Sequence, residues 1–154
     1  MKRQFAPLTN EGAVGELEER LGAVLPPGYR DFILNFNGGE PENPCFSFPG
    51  PARSYGDSIV RNFFSVSDDL EISLEYKFQI YTKACRVPAD MLPIGSDFGG
   101  NLIVLALAGK SVGGVYFWDH EIEGLEEYPD NPEHLVFLAR SFNLFYEGLF
   151  SEPS

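Results

Sequence analysis

Two apolar runs joined by a glycine-rich link constrain the fold more than any other feature of this chain. Leu102-Ile103-Val104-Leu105-Ala106-Leu107 and Val115-Tyr116-Phe117-Trp118 flank Ala108-Gly109-Lys110-Ser111-Val112-Gly113-Gly114. The linking glycines suit a hairpin, so the runs are expected as adjacent antiparallel strands. The first run does not alternate with polar residues, which marks a central strand covered on both faces. Even extended to Ala108, it falls far short of the roughly 20 apolar residues that cross a bilayer.

Helical patterns stand on either side of these strands. Thr9 or Asn10 can cap a helix bearing Val14, Leu17 and Leu21, and Pro26-Pro27 opens a second bearing Tyr29, Phe32, Ile33 and Phe36, spacings that place each set on one face. Asn37-Gly38-Gly39 is expected to end that helix in a left-handed cap. Cys45–Phe48 and Phe63–Val66 read as short strands. Ser67-Asp68-Asp69 reads as the start of a third helix, with Glu71 as a capping-box partner and Leu70, Leu74, Phe78 and Tyr81 on one face. Pro88 and Pro93 are expected to frame a turn. After Asn131-Pro132, a last helix is expected to bury Leu135, Leu138, Ala139, Phe142, Phe145, Tyr146 and Leu149. Residues 1–8 read as a loose leader, 9–150 as a single domain and 151–154 as a frayed tail. The order of elements is that of an α+β domain with helices packed on an antiparallel sheet. With 14 Phe, 7 Tyr and 1 Trp among 154 residues, some rings are expected at the surface.

Charge narrows the partners. Eleven basic residues against 23 acidic ones leave a net charge of −12. Such a field repels phosphate backbones and anionic headgroups, so neither nucleic acid nor membrane is an expected partner, and a basic protein is. Met1–Pro7 has no apolar run behind its basic residues, so no signal peptide is expected there and the cytoplasm is the expected location. Two cysteines, Cys45 and Cys85, are too few for a disulfide framework and are expected as reduced, mostly buried thiols.

No catalytic constellation is legible. His120 and His134, the only histidines, lie in no nucleophile elbow or metal-binding helix pair. Asp119-His120-Glu121 has ligand chemistry, but neighbours on an extended segment point to opposite faces, so all three do not easily converge on a metal. Asp119 is expected to accept backbone N–H groups instead, leaving His120 and Glu121 exposed. Asp97-Phe98-Gly99-Gly100-Asn101 precedes a strand, whereas phosphate cradles precede a helix. A tight turn is therefore expected, closed by Asp97, with Gly99 or Gly100 supplying a positive φ just as Gly38 and Gly39 serve the earlier cap. Neither metal nor cofactor is expected. The acids crowd one segment, Asp119, Glu121, Glu123, Glu126, Glu127, Asp130 and Glu133, with no Lys or Arg between Ser111 and Ala139. This segment, with Tyr128 as an aromatic anchor and Glu40 and Glu42 as neighbours, is the candidate partner-binding surface.

Three stretches together resemble the SUKH superfamily, in the branch of fungal cell-wall synthesis regulators and bacterial immunity proteins. They are Leu25-Pro26-Pro27-Gly28-Tyr29-Arg30-Asp31-Phe32 running to Asn37-Gly38-Gly39, then Leu92-Pro93-Ile94-Gly95-Ser96-Asp97 with Gly99-Gly100-Asn101, and Gly114-Val115-Tyr116-Phe117-Trp118-Asp119-His120-Glu121. Their order and spacing match as well. The resemblance implies a curved antiparallel sheet with packed helices and a non-catalytic binding module, a monomer or weak homodimer. Its implied role is stoichiometric neutralisation of a cognate toxin domain, a basic one on the charge argument. The alternative is a regulatory interaction scaffold of the cell-wall type.

Overall fold

The computed structural model describes residues 1–122 and 135–152 of the chain. Helix α1, Glu11–Leu21, starts where Asn10 Oδ1 accepts the Ala13 N–H at 2.9 Å and ends at Gly22, whose positive φ turns the chain away. It buries Val14, Leu17 and Leu21. Helix α2, Pro27–Phe36, buries Tyr29, Phe32 and Ile33 and stops at Asn37, left-handed at φ 50°. Gly38 and Gly39 follow with φ of 78° and 107°. A Cβ on Gly38 would overlap the Phe64 carbonyl, and one on Gly39 the Arg3 carbonyl. Only glycine satisfies both the dihedral and the close approach.

Five strands form the main sheet: β3 (Asn62–Phe63), β4 (Met91–Ser96), β5 (Leu102–Ala106), β6 (Val115–Trp118) and β7 (Leu135–Ala139). They lie side by side in chain order, every pair antiparallel. β5 is central and buried along its whole length, as its unbroken apolar run predicts. Its hairpin partner β6 pairs Leu102 with Trp118 and Leu105 with Val115. A smaller sheet joins β1 (Cys45–Ser47) to β2 (Asp57–Ile59). Helices α3 (Leu74–Lys77) and α4 (Phe142–Glu147) complete the regular elements, α3 running straight into a π-helical turn, Phe78–Lys83. The whole is a single α+β domain.

Aromatic rings join the layers. Phe32 of α2 lies 4.7 Å from Phe142 of α4 and 5.2 Å from Phe63 of β3, centroid to centroid, while Phe145 reaches Phe46 of β1 at 5.5 Å. Edge and tilted geometries of this kind add to the stabilisation from burial alone. Most of the aromatic mass is thus core. Phe5, Phe98 and Phe137 are the phenylalanines left exposed among the described residues.

Several sequence expectations change. Leu135–Ala139 is a strand, not the first turns of the last helix, because it supplies the hydrogen-bonding partner that the outer edge of β6 needs. The helix begins only after Ser141, whose Oγ accepts the Leu144 N–H at 3.2 Å. Helix α3 starts at Ser73 rather than at Ser67–Asp69: Ser73 Oγ caps Tyr76, whereas Asp69 Oδ1 closes a local turn onto the Glu71 N–H. Pro93 lies inside β4 opposite Val104, next to a register shift between Pro93 and Gly95, the kind of bulge that tolerates a missing N–H. Of the thiols, Cys45 is buried but Cys85 is exposed, both free. At the N-terminus, residues 1–8 touch the domain. Lys2 and Arg3 donate backbone N–H groups to the Glu40 carbonyl, and Asn37 Nδ2 donates to that of Pro7.

Candidate functional site

At one end of the main sheet, the turn between β4 and β5 meets the chain leaving β6. Asp97 is almost fully buried, and its Oδ1 accepts N–H groups from Gly99 at 2.8 Å and Asn101 at 2.9 Å. Its Oδ2 accepts Asn101 Nδ2 at 2.9 Å. Held this way, Asn101 turns Oδ1 outward to accept the His120 N–H at 3.0 Å, and Asp119 Oδ1 accepts the Glu121 N–H at 2.9 Å. Two loops are thereby fixed to each other through one asparagine. Gly100, at φ 88°, passes under the His120 ring, leaving that side chain half-buried rather than solvent-facing. Glu121 is exposed. At the crest of the first loop stands Phe98, 71% exposed on a backbone that its neighbours hold rigid.

Beside this crest runs an open groove of about 620 Å³. Phe5, Phe64, Tyr81 and Phe98 give it aromatic walls, and Arg61 and Lys77 bring positive charge, with Asp69, Glu71 and Asp97 also lining it. Each cation lies over a ring: Arg61 Cζ is 5.9 Å from the Phe98 centroid and Lys77 Nζ is 5.1 Å from that of Phe64. Burial holds the Lys77 ammonium below its ordinary range. Glu71 pulls it back up, and the Arg61 charge pushes it further down. Two like charges therefore share one recess.

The predicted acidic surface is only partly in view. Asp119 and Glu121 sit at the sheet end just described, next to the turn formed by Asp97, Gly99 and Gly100. Glu40 and Glu42 face the N-terminal segment instead: Glu40 meets Lys2 Nζ at 3.6 Å and Glu42 the terminal ammonium at 3.9 Å. No hydrogen bond or ion pair links either to Asp119 or Glu121. Glu123, Glu126, Glu127, Tyr128 and Asp130 lie outside the described residues. Among the described residues, no three His, Cys, Asp or Glu side chains gather as a metal site, and no helix is long and apolar enough to cross a membrane.

Sequence reasoning missed Arg61, Lys77 and Phe98. For Phe98 a signal existed: a large apolar residue between Asp97 and two glycines has no role in a tight turn. For Arg61 and Lys77 there was none, since residues on different elements are brought together only by the fold.

Comparison with known proteins agrees with this architecture. The SMI1 / KNR4 family (SUKH-1) model matches residues 9–148. The SPbeta prophage-derived uncharacterized protein YokK of Bacillus subtilis (strain 168) is 29% identical over 159 residues, an alignment covering 94% of this chain and 76% of that protein. With the family pattern spanning nearly the whole domain, from the cap of α1 to the end of α4, the chain belongs to the SMI1 / KNR4 family (SUKH-1).

Proposed function

We propose that this chain is an immunity protein that neutralises a cognate bacterial toxin by stoichiometric binding, with no chemistry of its own. Family membership supports the reading, since resemblance to the SUKH superfamily implies a toxin-binding role like that of its bacterial immunity branch. The prophage origin of the Bacillus subtilis relative agrees with a gene carried among competing mobile elements. The surface suits the role as well. Interface energy concentrates in a few rigid, exposed rings, and Phe98 on its hydrogen-bonded loop is such a ring. A net charge of −12 accelerates encounter with a basic toxin. The protein acts in the cytoplasm, where a delivered toxin finds its target, and binding needs neither metal nor cofactor.

The test is co-expression with the product of the gene beside this one. The neighbouring protein alone is expected to arrest growth, this chain to restore it, and the pair to purify as a complex of equal stoichiometry that is stable to chelator. A neighbour that is harmless, or that stays toxic in the presence of this chain, overturns the reading. An endogenous partner bound without any protection would instead mark a regulatory scaffold.

A further inference from the structure

We propose that the groove between the Asp97–Asn101 turn and α3 is the specificity pocket of the partner interface, taking a partner segment in which a carboxylate stands beside an apolar side chain. The proposal rests on the reading that the chain acts by binding another protein. Three basic side chains outside this groove are spent on internal pairs: Lys2 with Glu40, Arg20 with Glu75, and Arg30 with Glu11 and Glu18. Arg61 and Lys77 are not among these. In a chain of net charge −12 they converge on one recess, and among the described residues neither has a carboxylate within ion-pair distance. Asp69 Oδ1 is already occupied by the Glu71 N–H, and Glu71 acts on Lys77 only through space.

Two like charges held together, neither in direct ion pairing with the acids that line the groove, leave both open to an incoming anion. The neighbouring acids set the valence. A dianionic phosphate would meet Asp69, Glu71 and Asp97 as well as the two cations, whereas a single carboxylate brings half that charge against them. The aromatic walls call for an apolar group beside that carboxylate. A volume of about 620 Å³ holds a few side chains. Phe98 is 71% exposed, and a protein surface covers it where a small ligand would leave it wet. Overall acidity thus draws the partner in, and the groove tests it for one correctly placed acid.

The probes are three capped tetrapeptides, acetyl-Gly-Phe-Asp-Gly-amide and its Asn and Lys counterparts, titrated into the full chain while backbone amide resonances are followed. The Asp peptide is expected to shift the amides of Arg61, Phe98 and Gly100 saturably. The Asn and Lys peptides should bind at least roughly tenfold more weakly, as loss of one charge-assisted contact implies. Arg61→Gln and Phe98→Ala alter exposed side chains, so each should weaken the Asp peptide by roughly tenfold with an unchanged melting temperature. Lys77→Gln should do the same wherever its fold is intact. Equal binding of Asp and Asn peptides, shifts confined to another face, absence of saturation, or wild-type affinity in both exposed variants would each overturn the proposal. A toxin neutralised equally well by wild type, Arg61→Gln and Phe98→Ala removes the groove and leaves the immunity reading standing. Selective Asp-peptide binding in a chain that protects against no toxin does the reverse.

Discussion

Tyr29 and Asn37 bracket α2 and show what a single polar atom costs inside this core. Tyr29 is fully buried, its ring edge-on to Phe142 at 5.1 Å, and its hydroxyl has no hydrogen-bond partner among the described residues. Burial pushes its phenol far above the ordinary range. The folded chain therefore keeps a proton that the unfolded chain releases near pH 10, so stability is intact below about pH 10 and falls as pH rises past it. Cys45, whose thiol burial also raises, acts in the same direction from nearer pH 9. Lys77, shifted down, acts oppositely: the fold holds fewer protons than the unfolded chain, so its contribution improves as pH climbs toward about 10.5. Tyr29→Phe removes the unpaired hydroxyl and should stabilise by about 1 to 3 kcal/mol. It should also flatten the alkaline limb of a urea-midpoint series from about pH 8 to about pH 11, leaving the shares of Cys45 and of Tyr146, whose phenol burial also raises. A loss of stability at neutral pH with an unchanged alkaline slope would mean that the hydroxyl is bonded after all. Asn37 is the opposite case. Its Nδ2 donates to the carbonyls of Pro7 and Val66 at 2.8 and 3.0 Å, and its Oδ1 accepts the Val66 N–H at 2.8 Å. Asn37→Ala orphans all three groups and forces a left-handed alanine, so a loss of roughly 2 to 4 kcal/mol is expected, with Asn37→Gly recovering about 1 of it. Denaturant midpoints at constant m-value measure both.

At the scale of elements, α2 and α4 are held on the sheet by rings, and this is where truncation is most costly. Phe32 contacts Tyr29, Phe36, Phe63, Phe142 and Tyr146. Phe32→Ala or Phe142→Ala should each cost roughly 3 to 5 kcal/mol, because such a cluster cannot collapse around the void. Near-neutral unfolding free energies for both would remove this packing scheme. Ser141→Ala tests the boundary between β7 and α4 separately, with about 1 kcal/mol expected from the lost cap. The same boundary shows where local pattern fails. Leu135, Leu138, Ala139 and Phe142 fit a helical stripe, yet the choice between helix and strand was made by β6, an edge whose pairing needs are invisible in local periodicity. Leu135-Val136-Phe137 does carry β-branched and aromatic character, and Phe137 packs across the pair on Tyr116 at 5.8 Å. Pro93 misled for a related reason: proline marks turns unless a bulge accommodates it, and bulges are tertiary. By contrast, α1, α2 and the hairpin from β5 to β6 were legible because caps, amphipathic spacing and linking glycines are all local signals that agree.

For the molecule as a whole, charge was legible and its arrangement was not. The excess of acid and the crowding of acids after Trp118 can be counted along the chain, but the pairing of Lys2, Arg20 and Arg30 and the meeting of Arg61 with Lys77 are products of the fold. Two charge features of opposite sign therefore have separable roles. On the proposed binding role, the long-range field is expected to govern encounter and the groove what stays bound. Reversing Glu123, Glu126 and Glu127 to Lys halves the net charge of −12 and alters none of the described contacts. With a basic partner, that triple variant should associate at least roughly tenfold more slowly at low salt while dissociating at close to the wild-type rate. Arg61→Gln should show the converse, with faster dissociation and nearly unchanged association. Raising salt toward about 1 M, where the Debye length is roughly 3 Å, should slow wild-type association until it matches the triple variant and should leave the Arg61→Gln defect in dissociation visible. If the triple variant instead associates with wild-type kinetics at low salt, the acidic segment serves solubility alone and encounter is guided from elsewhere on the surface.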